Sequence, residues 1–238
     1  MHASANVPCV DIADAAALVD RRVAQAWATE GIPDVAYGLV LAGSLVHVGA
    51  VGSVERQPDV VDVAFRIASM TKSITAATVL RLRDEGLLGL DTRVSDVLPW
   101  AADIGLPLSS PALRIQHLLT MTAGLPTDDP WGDRQESLPL RDFDALVAAG
   151  LTWCRPPGIA FEYANLAYAL LGRVVTAVTG ADFTDVVREM MLEPLAMHRT
   201  TFDVGATHDR AMGWHPAGVG LREQVEGPPG AFSPMGGL

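Results

Sequence analysis

The order of strand and helix patterns along this chain is the feature that most constrains its fold. An amphipathic helix pattern covers residues 11–30, and two β-rich runs, Val35–Leu41 and Leu45–Val51, joined by a Gly-containing loop, then predict a hairpin. A third short apolar run, Val63–Ile67, leads into a part of the chain where helix patterns dominate. This segregation predicts an α+β fold, with an antiparallel β-sheet flanked by helices and a large helical insert at about residues 86–200.

The helix patterns after the hairpin have apolar residues at a spacing of three to four residues. They cover Thr71–Glu85, Arg114–Met121, Leu140–Ala149, Tyr163–Thr179 and Asp182–Leu192. Gly86 and Gly180 stand where two of these helices are expected to end. Beyond Phe202 the chain becomes rich in Gly and Pro and loses its periodicity.

Composition and charge exclude several kinds of partner. Apolar residues make up 49% of the chain and charged residues 19%, which is typical of a packed globular protein, and we predict one domain over residues 1–238. The formal net charge is −11 and no basic cluster stands out, so neither nucleic acid nor an anionic membrane surface is an expected partner. No apolar run approaches the length of a membrane span.

The only lysine in the chain, Lys72, stands three residues after Ser69. All the other basic residues are arginine, which cannot lose its proton near neutral pH, whereas a desolvated lysine can. Residues i and i+3 share one face of a helix, so the Lys72 amine can reach the Ser69 hydroxyl. This Ser-x-x-Lys pair suggests serine acyl transfer. The alternative is a helix-capping serine followed by a lysine on a helix surface.

A second motif, Tyr163-Ala164-Asn165, stands at the start of a predicted helix. A tyrosine beside a lysine can act with it as a coupled acid–base pair, and an asparagine amide can both donate and accept hydrogen bonds. The alternative is that Tyr163 packs its ring in a loop and Asn165 caps the helix.

Several segments appear in the order known from one family. They are Phe65–Ala76, Gly89–Asp91, Ile115–Leu125, Pro157–Asn165 and Pro194–Met197. Together they resemble the serine β-lactamase and penicillin-binding-protein superfamily, in particular the branch of class C β-lactamases, DD-peptidases and esterases. Several ordered motifs are far more specific than any one of them.

The resemblance implies a β-lactamase/transpeptidase-like fold and assigns roles to four residues. Ser69 would be the nucleophile, Lys72 and Tyr163 its acid–base partners, and Asn165 a substrate-binding residue. The implied function is a serine hydrolase that cleaves ester, amide or β-lactam bonds of small molecules, with no cofactor and no metal. The alternative is a catalytically impaired homologue that acts as a penicillin-binding or structural module. Oligomeric state stays open.

The chain departs from the family at its end. The family's third motif, Lys/His-x-Gly on a late strand, is expected after Gly236-Gly237-Leu238, where the sequence stops. We therefore expect a domain that lacks its final sheet strands. Because that strand would supply one of two oxyanion donors, we expect this chain by itself to be slow or inactive. His47-Val48-Gly49 has the right letters but lies on an early predicted strand.

The sequence lacks the motifs of two other hydrolase classes. The sequence has no Gly-x-Ser-x-Gly, the nucleophile elbow of α/β-hydrolases, and no zinc-binding His-Glu-x-x-His. Residues Met1–Cys9 have neither the basic nor the apolar region of a secretory signal, which predicts a cytoplasmic location.

Overall fold

The computed structural model describes residues 11–56, 60–102, 104–128, 132–203, 205, 209–216, 220–224 and 227–238. The chain divides into two compact units. The first comprises the described residues of Met1–Phe65 and His208–Gln224, and the second those of Arg66–Thr207 and Val225–Leu238. Residues 1–10, on which the cytoplasmic prediction depends, lie outside the described residues.

The first unit contains the predicted helix and hairpin. Helix α1 (Ile12–Glu30) begins where the Asp11 carboxylate accepts a hydrogen bond from a backbone N–H, and it ends at Gly31, which adopts the left-handed conformation. Strands β1 (Asp34–Leu41) and β2 (Ser44–Gly52) pair antiparallel, which confirms the hairpin.

A carboxylate on α1 links the helix to this hairpin. Asp20 Oδ1 accepts a hydrogen bond from the Tyr37 hydroxyl at 2.7 Å and lies 2.7 Å from His47 Nε2. The hydrogen bond from Tyr37, and then that from His47, lower the pKa of Asp20. Burial, and then the hydrogen bond to Asp20, raise the pKa of Tyr37 to about 12.

The remaining strands of the first unit are very short. The run Val63–Ile67 forms no strand, and Ala64 within it makes an isolated parallel bridge with Arg210. A second antiparallel pair, β3 (Trp214–Pro216) and β4 (Leu221–Glu223), was not predicted. Strands of three residues are too short for alternation to be visible in the sequence.

The second unit is built mainly of helices. They are α2 (Thr71–Asp84), α3 (Val94–Val97), α4 (Ile115–Leu119), α5 (Leu140–Ala148), α6 (Asn165–Thr179), α7 (Phe183–Val187), which continues as a π-helical turn (Arg188–Leu192), and α8 (Ser233–Gly236). Short 3₁₀ turns occur at Ala68–Met70, Pro99–Ala101 and Gly132–Gln135. The five predicted helices of this unit are confirmed, α3 and α8 were not predicted, and the architecture is α+β as expected.

Helix α6 is the central element of the second unit's core. Nearly every residue from 165 to 175 is buried, as expected for a helix that is apolar all round. Its one long cation, Arg173, forms a bidentate ion pair with Asp144 of α5, at 2.7 and 2.6 Å. This pair fixes α5 against α6 because both guanidinium–carboxylate bonds require one geometry.

The last described segment, residues 231–238, is buried throughout and is bonded to α2 and the turn before it. Thr75 Oγ1 donates to the Pro234 carbonyl at 2.6 Å, and Thr71 Oγ1 accepts from the Leu238 N–H at 3.2 Å. The Ile67 N–H donates to the Leu238 carbonyl at 2.9 Å. The hydrogen bonds of Thr71 and Thr75, two buried residues of α2, therefore hold this segment beside the first turns of that helix.

Among the described residues, no single helix has the length and apolar character that crossing a membrane requires. By length and composition only, α6 together with Phe183–Leu192 meets that requirement as a pair bent by 82°.

We predict that Gly172→Ala destabilises the protein, although alanine is the better helix former. A Cβ at Gly172 would lie 2.2 Å from Pro234 Cγ, in a ring that cannot rotate away. Helix propensity favours the substitution by about 1 kcal/mol, but overpacking costs about 1–3 kcal/mol, so we expect a net loss in urea unfolding. The matched control is Gly236→Ala, whose Cβ would have its nearest neighbour at 3.6 Å. An unfolding free energy for Gly172→Ala at or above that of the wild type would contradict the packing of α8 on α6.

A second prediction concerns alkaline pH. Because the pKa of Tyr37 is raised in the folded state to about 12, its stabilising effect is complete below about pH 10 and is lost as the pH rises from about 10 to about 12. The Tyr37→Phe variant cannot ionise at this position. We therefore expect the difference in unfolding free energy between wild type and Tyr37→Phe to shrink over that interval, as measured by urea unfolding. A difference that is constant with pH would show that Asp20 and Tyr37 do not interact as described.

Candidate active site

Three of the four predicted site residues meet within hydrogen-bond distance in the second unit. Ser69 lies in the 3₁₀ turn directly before α2, Lys72 in the first turn of α2, and Tyr163 in the segment directly before α6. Ser69 Oγ is 2.8 Å from the Tyr163 hydroxyl oxygen and 3.0 Å from Lys72 Nζ. As a residue, Ser69 is exposed.

The Lys72 amine is enclosed by acceptors and aromatic rings. The residue is only 6% exposed, and Nζ donates to the backbone carbonyl of Met235 at 2.8 Å as well as to Ser69 Oγ. Nζ also lies 5.0 Å from the ring centre of Tyr163 and 5.8 Å from that of Tyr168. A buried amine needs such partners, because desolvation without hydrogen bonds is costly.

The contribution of Met235 could not be predicted from the sequence. A backbone carbonyl has no side-chain signature, and Met235 is separated from Lys72 by more than half of the chain. The threonine contacts of α2 with the last segment bring this carbonyl to the amine.

The backbone directly before Ser69 is in an unusual conformation. Ala68 has φ +45°, in the left-handed region that costs a non-glycine residue about 1–2 kcal/mol. The turn is held on both sides, since the Ile67 N–H donates to the Leu238 carbonyl and the Met70 N–H donates to the Ile67 carbonyl at 3.1 Å. Such strain persists where the surroundings fix the conformation, and it is common at functional sites.

The segment that carries Tyr163 is held by the chain that follows α4. The Glu162 N–H donates to the Met121 carbonyl at 2.8 Å, and the Gly158 N–H donates to the Thr122 carbonyl at 2.7 Å. Gly124 approaches an earlier part of this segment: it has φ +84°, and a Cβ there would lie 2.1 Å from the Arg155 carbonyl oxygen. These bonds hold the segment from which the Tyr163 hydroxyl reaches Ser69 Oγ.

Asn165 is completely buried as the first residue of α6. The carboxylate of Asp128 accepts hydrogen bonds from the N–H groups of Asn165 and Leu166, both at 2.7 Å. A Cβ at Gly132 would lie 2.8 Å from the Asn165 Cβ, so the backbone of Gly132 packs directly against this side chain. Asp128 was not predicted, because a cap supplied from a distant loop leaves no local sequence pattern.

Two further polar side chains of the second unit, Arg66 and Tyr168, have hydrogen-bond partners. Arg66 Nη2 donates to both carboxylate oxygens of Glu136, at 2.7 and 2.6 Å, and to the Gly236 carbonyl at 2.8 Å. The Tyr168 hydroxyl donates to the Leu119 carbonyl, and burial, followed by the nearby Tyr163, raises the pKa of Tyr168. Tyr168 therefore stays neutral beside the Lys72 amine.

The other sequence candidates lie elsewhere. His47 is on β2 in the first unit, where it is bonded to Asp20, as expected of an ordinary strand residue. Within the described part of the chain, no group of three or more His, Cys, Asp or Glu side chains could hold a metal ion.

Comparisons with known proteins agree with the sequence resemblance. The β-lactamase family model matches residues 19–238. Penicillin-binding protein 4 of Amycolatopsis lactamdurans is 34% identical over 71% of this chain and 44% of its own length. Esterase EstB of Burkholderia gladioli is 32% identical over 92% of this chain and 60% of its own length. A class C β-lactamase structure superposes with a TM-score of 0.79 at 20% identity, covering 99% of this chain and 63% of that one.

We predict that Asp128 stabilises the start of α6. In Asp128→Ala two N–H groups at the positive end of the helix dipole lose a charged acceptor, so the free energy of unfolding should fall by about 1–2 kcal/mol in urea unfolding. Asp128→Asn keeps an acceptor oxygen and should lose less. The control is Asp142→Ala, which removes an exposed first-turn carboxylate of α5 paired only at the surface with Arg141. Equal losses for the alanine variants of Asp128 and Asp142 would contradict the capping role.

Proposed function

Because the chain belongs to the β-lactamase family, we propose that it is a serine hydrolase that works through an acyl-enzyme on Ser69. The position of Ser69 Oγ, 2.8 Å from the Tyr163 hydroxyl and 3.0 Å from Lys72 Nζ, carries this proposal. A serine hydroxyl becomes an effective nucleophile when a neighbouring base takes its proton. Two groups that can exchange that proton are already within hydrogen-bond distance.

In the proposed reaction, Ser69 Oγ attacks the carbonyl carbon of the substrate and its proton passes to the Lys72–Tyr163 pair. Collapse of the tetrahedral intermediate expels the leaving group, which takes a proton back from the pair. A water molecule then attacks the acyl-enzyme with the same pair as base, and Ser69 is regenerated. Lys72 and Tyr163 are treated as one unit, because both lie within hydrogen-bond distance of Ser69 Oγ.

Two further groups have proposed roles in substrate binding. The N–H of Ser69, in the 3₁₀ turn directly before the fourteen-residue helix α2, suits one half of an oxyanion hole. Asn165 is proposed to hold a substrate amide or to relay to Lys72. Since Asn165 is completely buried and packed against Gly132, direct substrate contact would require its side chain to become accessible.

The proposed substrates are small molecules with ester, amide or β-lactam bonds. One relative is named an esterase and another a penicillin-binding protein. The chain spans between 44% and 60% of the length of these relatives, so the activity of the whole protein is part of the proposal. The likeness to a penicillin-binding protein favours a second candidate function, in which penicillin acylates Ser69 and is retained.

We predict that a fluorophosphonate labels Ser69, with Ser69 Oγ bonding to phosphorus and fluoride leaving, as detected by mass spectrometry of the intact protein and its peptides. Ser69→Ala should give no adduct. Lys72→Arg places there a guanidinium that cannot release its proton near neutral pH, so labelling should slow by about a hundredfold or more. Ser73→Ala is the matched control, because the Ser73 hydroxyl is bonded to the Met70 carbonyl and has no proposed role.

Treatment with a penicillin separates the two candidate functions. Release of the penicilloyl group and repeated turnover indicate a hydrolase, whereas a stoichiometric adduct on Ser69 that persists indicates penicillin binding. Absence of a Ser69 adduct with the fluorophosphonate, or equal labelling of wild type and Lys72→Arg, would contradict the proposed mechanism.

A further inference from the structure

We infer that Arg66 and Glu136 are positioning residues that set the pH at which Ser69 becomes reactive. They act through the backbone carbonyl groups of residues 231–238, the last segment, one of which holds the Lys72 amine. These roles rest on the proposed function, because they concern the group that would take the Ser69 proton.

Three consecutive carbonyl groups of the last segment accept hydrogen bonds from side chains. The pairs are Thr75 Oγ1 with the Pro234 carbonyl at 2.6 Å, Lys72 Nζ with the Met235 carbonyl at 2.8 Å, and Arg66 Nη2 with the Gly236 carbonyl at 2.8 Å. These carbonyl groups stand at the end of α8, where a helix leaves its acceptors without partners inside the helix. Two cations are thus bonded to adjacent carbonyl groups.

The Lys72 amine and the Arg66 guanidinium are close enough to interact electrostatically. Their acceptors belong to consecutive residues, so the path through both hydrogen bonds and the backbone between them limits the distance between the two nitrogens to about 12 Å. This limit is comparable with the Debye length of about 8–10 Å, and a buried group such as the Lys72 amine is screened less than an exposed one.

Glu136 offsets the charge of Arg66. Arg66 Nη2 donates to both carboxylate oxygens of Glu136, at 2.7 and 2.6 Å, and the two side chains are 32% and 22% exposed. With both residues present, the Lys72 amine is therefore near a paired cation. Removal of either partner would leave the other as a net charge beside the same carbonyl groups.

The chain that carries Glu136 is attached to the last segment. Directly after Glu136, Ser137 Oγ donates to the Pro228 carbonyl at 2.6 Å, and the Ala231 N–H donates to the Leu138 carbonyl at 2.8 Å. These bonds keep the ion pair beside the carbonyl groups at the end of α8.

Two tyrosines are the other ionisable side chains that contact the Lys72 amine among the described residues. Tyr163 precedes α6 and Tyr168 lies on α6, with ring centres 5.0 and 5.8 Å from Lys72 Nζ. Tyr163 belongs to the proposed acid–base pair, and Tyr168 stays neutral because burial, and then the nearby Tyr163, raise its pKa. Residues 231–238 carry no charged side chain, and the Leu238 carboxyl group is the same in every variant compared below.

The test measures how fast diisopropyl fluorophosphate, an uncharged probe, labels Ser69 of the full chain at a series of pH values, by mass spectrometry. Ser69 Oγ bonds to phosphorus, fluoride leaves, and the Ser69 proton passes to the Lys72–Tyr163 pair. The rate should rise with pH as this pair loses its proton. The midpoint of that rise is the quantity to compare.

Two neutral variants should shift the midpoint in opposite directions. Glu136→Gln leaves the Arg66 charge unpaired, which favours the deprotonated pair, so the midpoint should fall by about half a pH unit. Arg66→Gln leaves the Glu136 carboxylate unpaired and should raise the midpoint by a similar amount. A unit charge at about 12 Å gives roughly 0.3–1 pH unit for effective dielectric constants between about 80 and 20.

Two further measurements identify charge as the cause. The double variant Arg66→Gln/Glu136→Gln lacks both charges and should return close to the wild-type midpoint. Each single-variant shift should shrink in about 1 M salt, where the Debye length is about 3 Å. The control is Asp84→Asn, which removes a carboxylate paired with Arg83 on the exposed end of α2. Asp84 lies about 18 Å along the helix from Lys72, so the midpoint should not move.

A rate that falls in both single variants with an unchanged midpoint would show that the ion pair only supports the fold, and would overturn the inference. Shifts in the same direction would overturn it as well. If Arg66→Gln does not fold, Glu136→Gln decides by itself, because Arg66 then keeps its bond to the Gly236 carbonyl. Labelling of Ser69 with equal midpoints overturns only the roles of Arg66 and Glu136, whereas absence of Ser69 labelling in the wild type overturns the proposed function and the inference with it.

Discussion

The hydrogen bond from the buried Lys72 amine to the Met235 carbonyl is the interaction on which the proposed site depends. An amine removed from water needs acceptors, and Ser69 Oγ by itself supplies one. The second acceptor comes from the last segment of the chain, which is fastened to α2 by the hydroxyls of Thr71 and Thr75. The same segment also bonds the turn that holds Ser69, so the nucleophile and its basic neighbour share one support.

Tyr163 is supported from the other side by α6 and the chain after α4. Helix α6 is buried along most of its length, which fixes its axis, and Asp128 fixes its first turn. The residues before the helix are bonded to residues 121–124, which sets the path of the chain that carries the Tyr163 ring. Preorganisation of this kind matters for acyl transfer, because a proton acceptor acts only at hydrogen-bond distance from the nucleophile.

Much of the fold could be predicted because its signals are local. Asp11 and Gly31 bound α1 through capping and a left-handed residue, and the loop around Gly43 closes the hairpin. The last small sheet and α8 could not be predicted, because elements of three or four residues are too short for a periodic pattern. Likewise the start of α6 lies two residues later than its pattern indicated, since Tyr163 and Ala164 precede the helix and the cap comes from Asp128.

The sequence by itself determined which residues are available for chemistry, namely the single lysine one turn after Ser69 and the Tyr163-x-Asn165 motif. Both could be identified because helix spacing and family motifs are visible within short stretches of the chain. The family resemblance implied that Tyr163 acts with Ser69, 94 residues away, but only the tertiary structure decided that the Met235 carbonyl, 163 residues from Lys72, accepts a hydrogen bond from the Lys72 amine. The reason is physical. A buried amine and a buried helix end take whichever acceptors packing brings to them, and a backbone carbonyl or a distant carboxylate does so without leaving a pattern in the sequence.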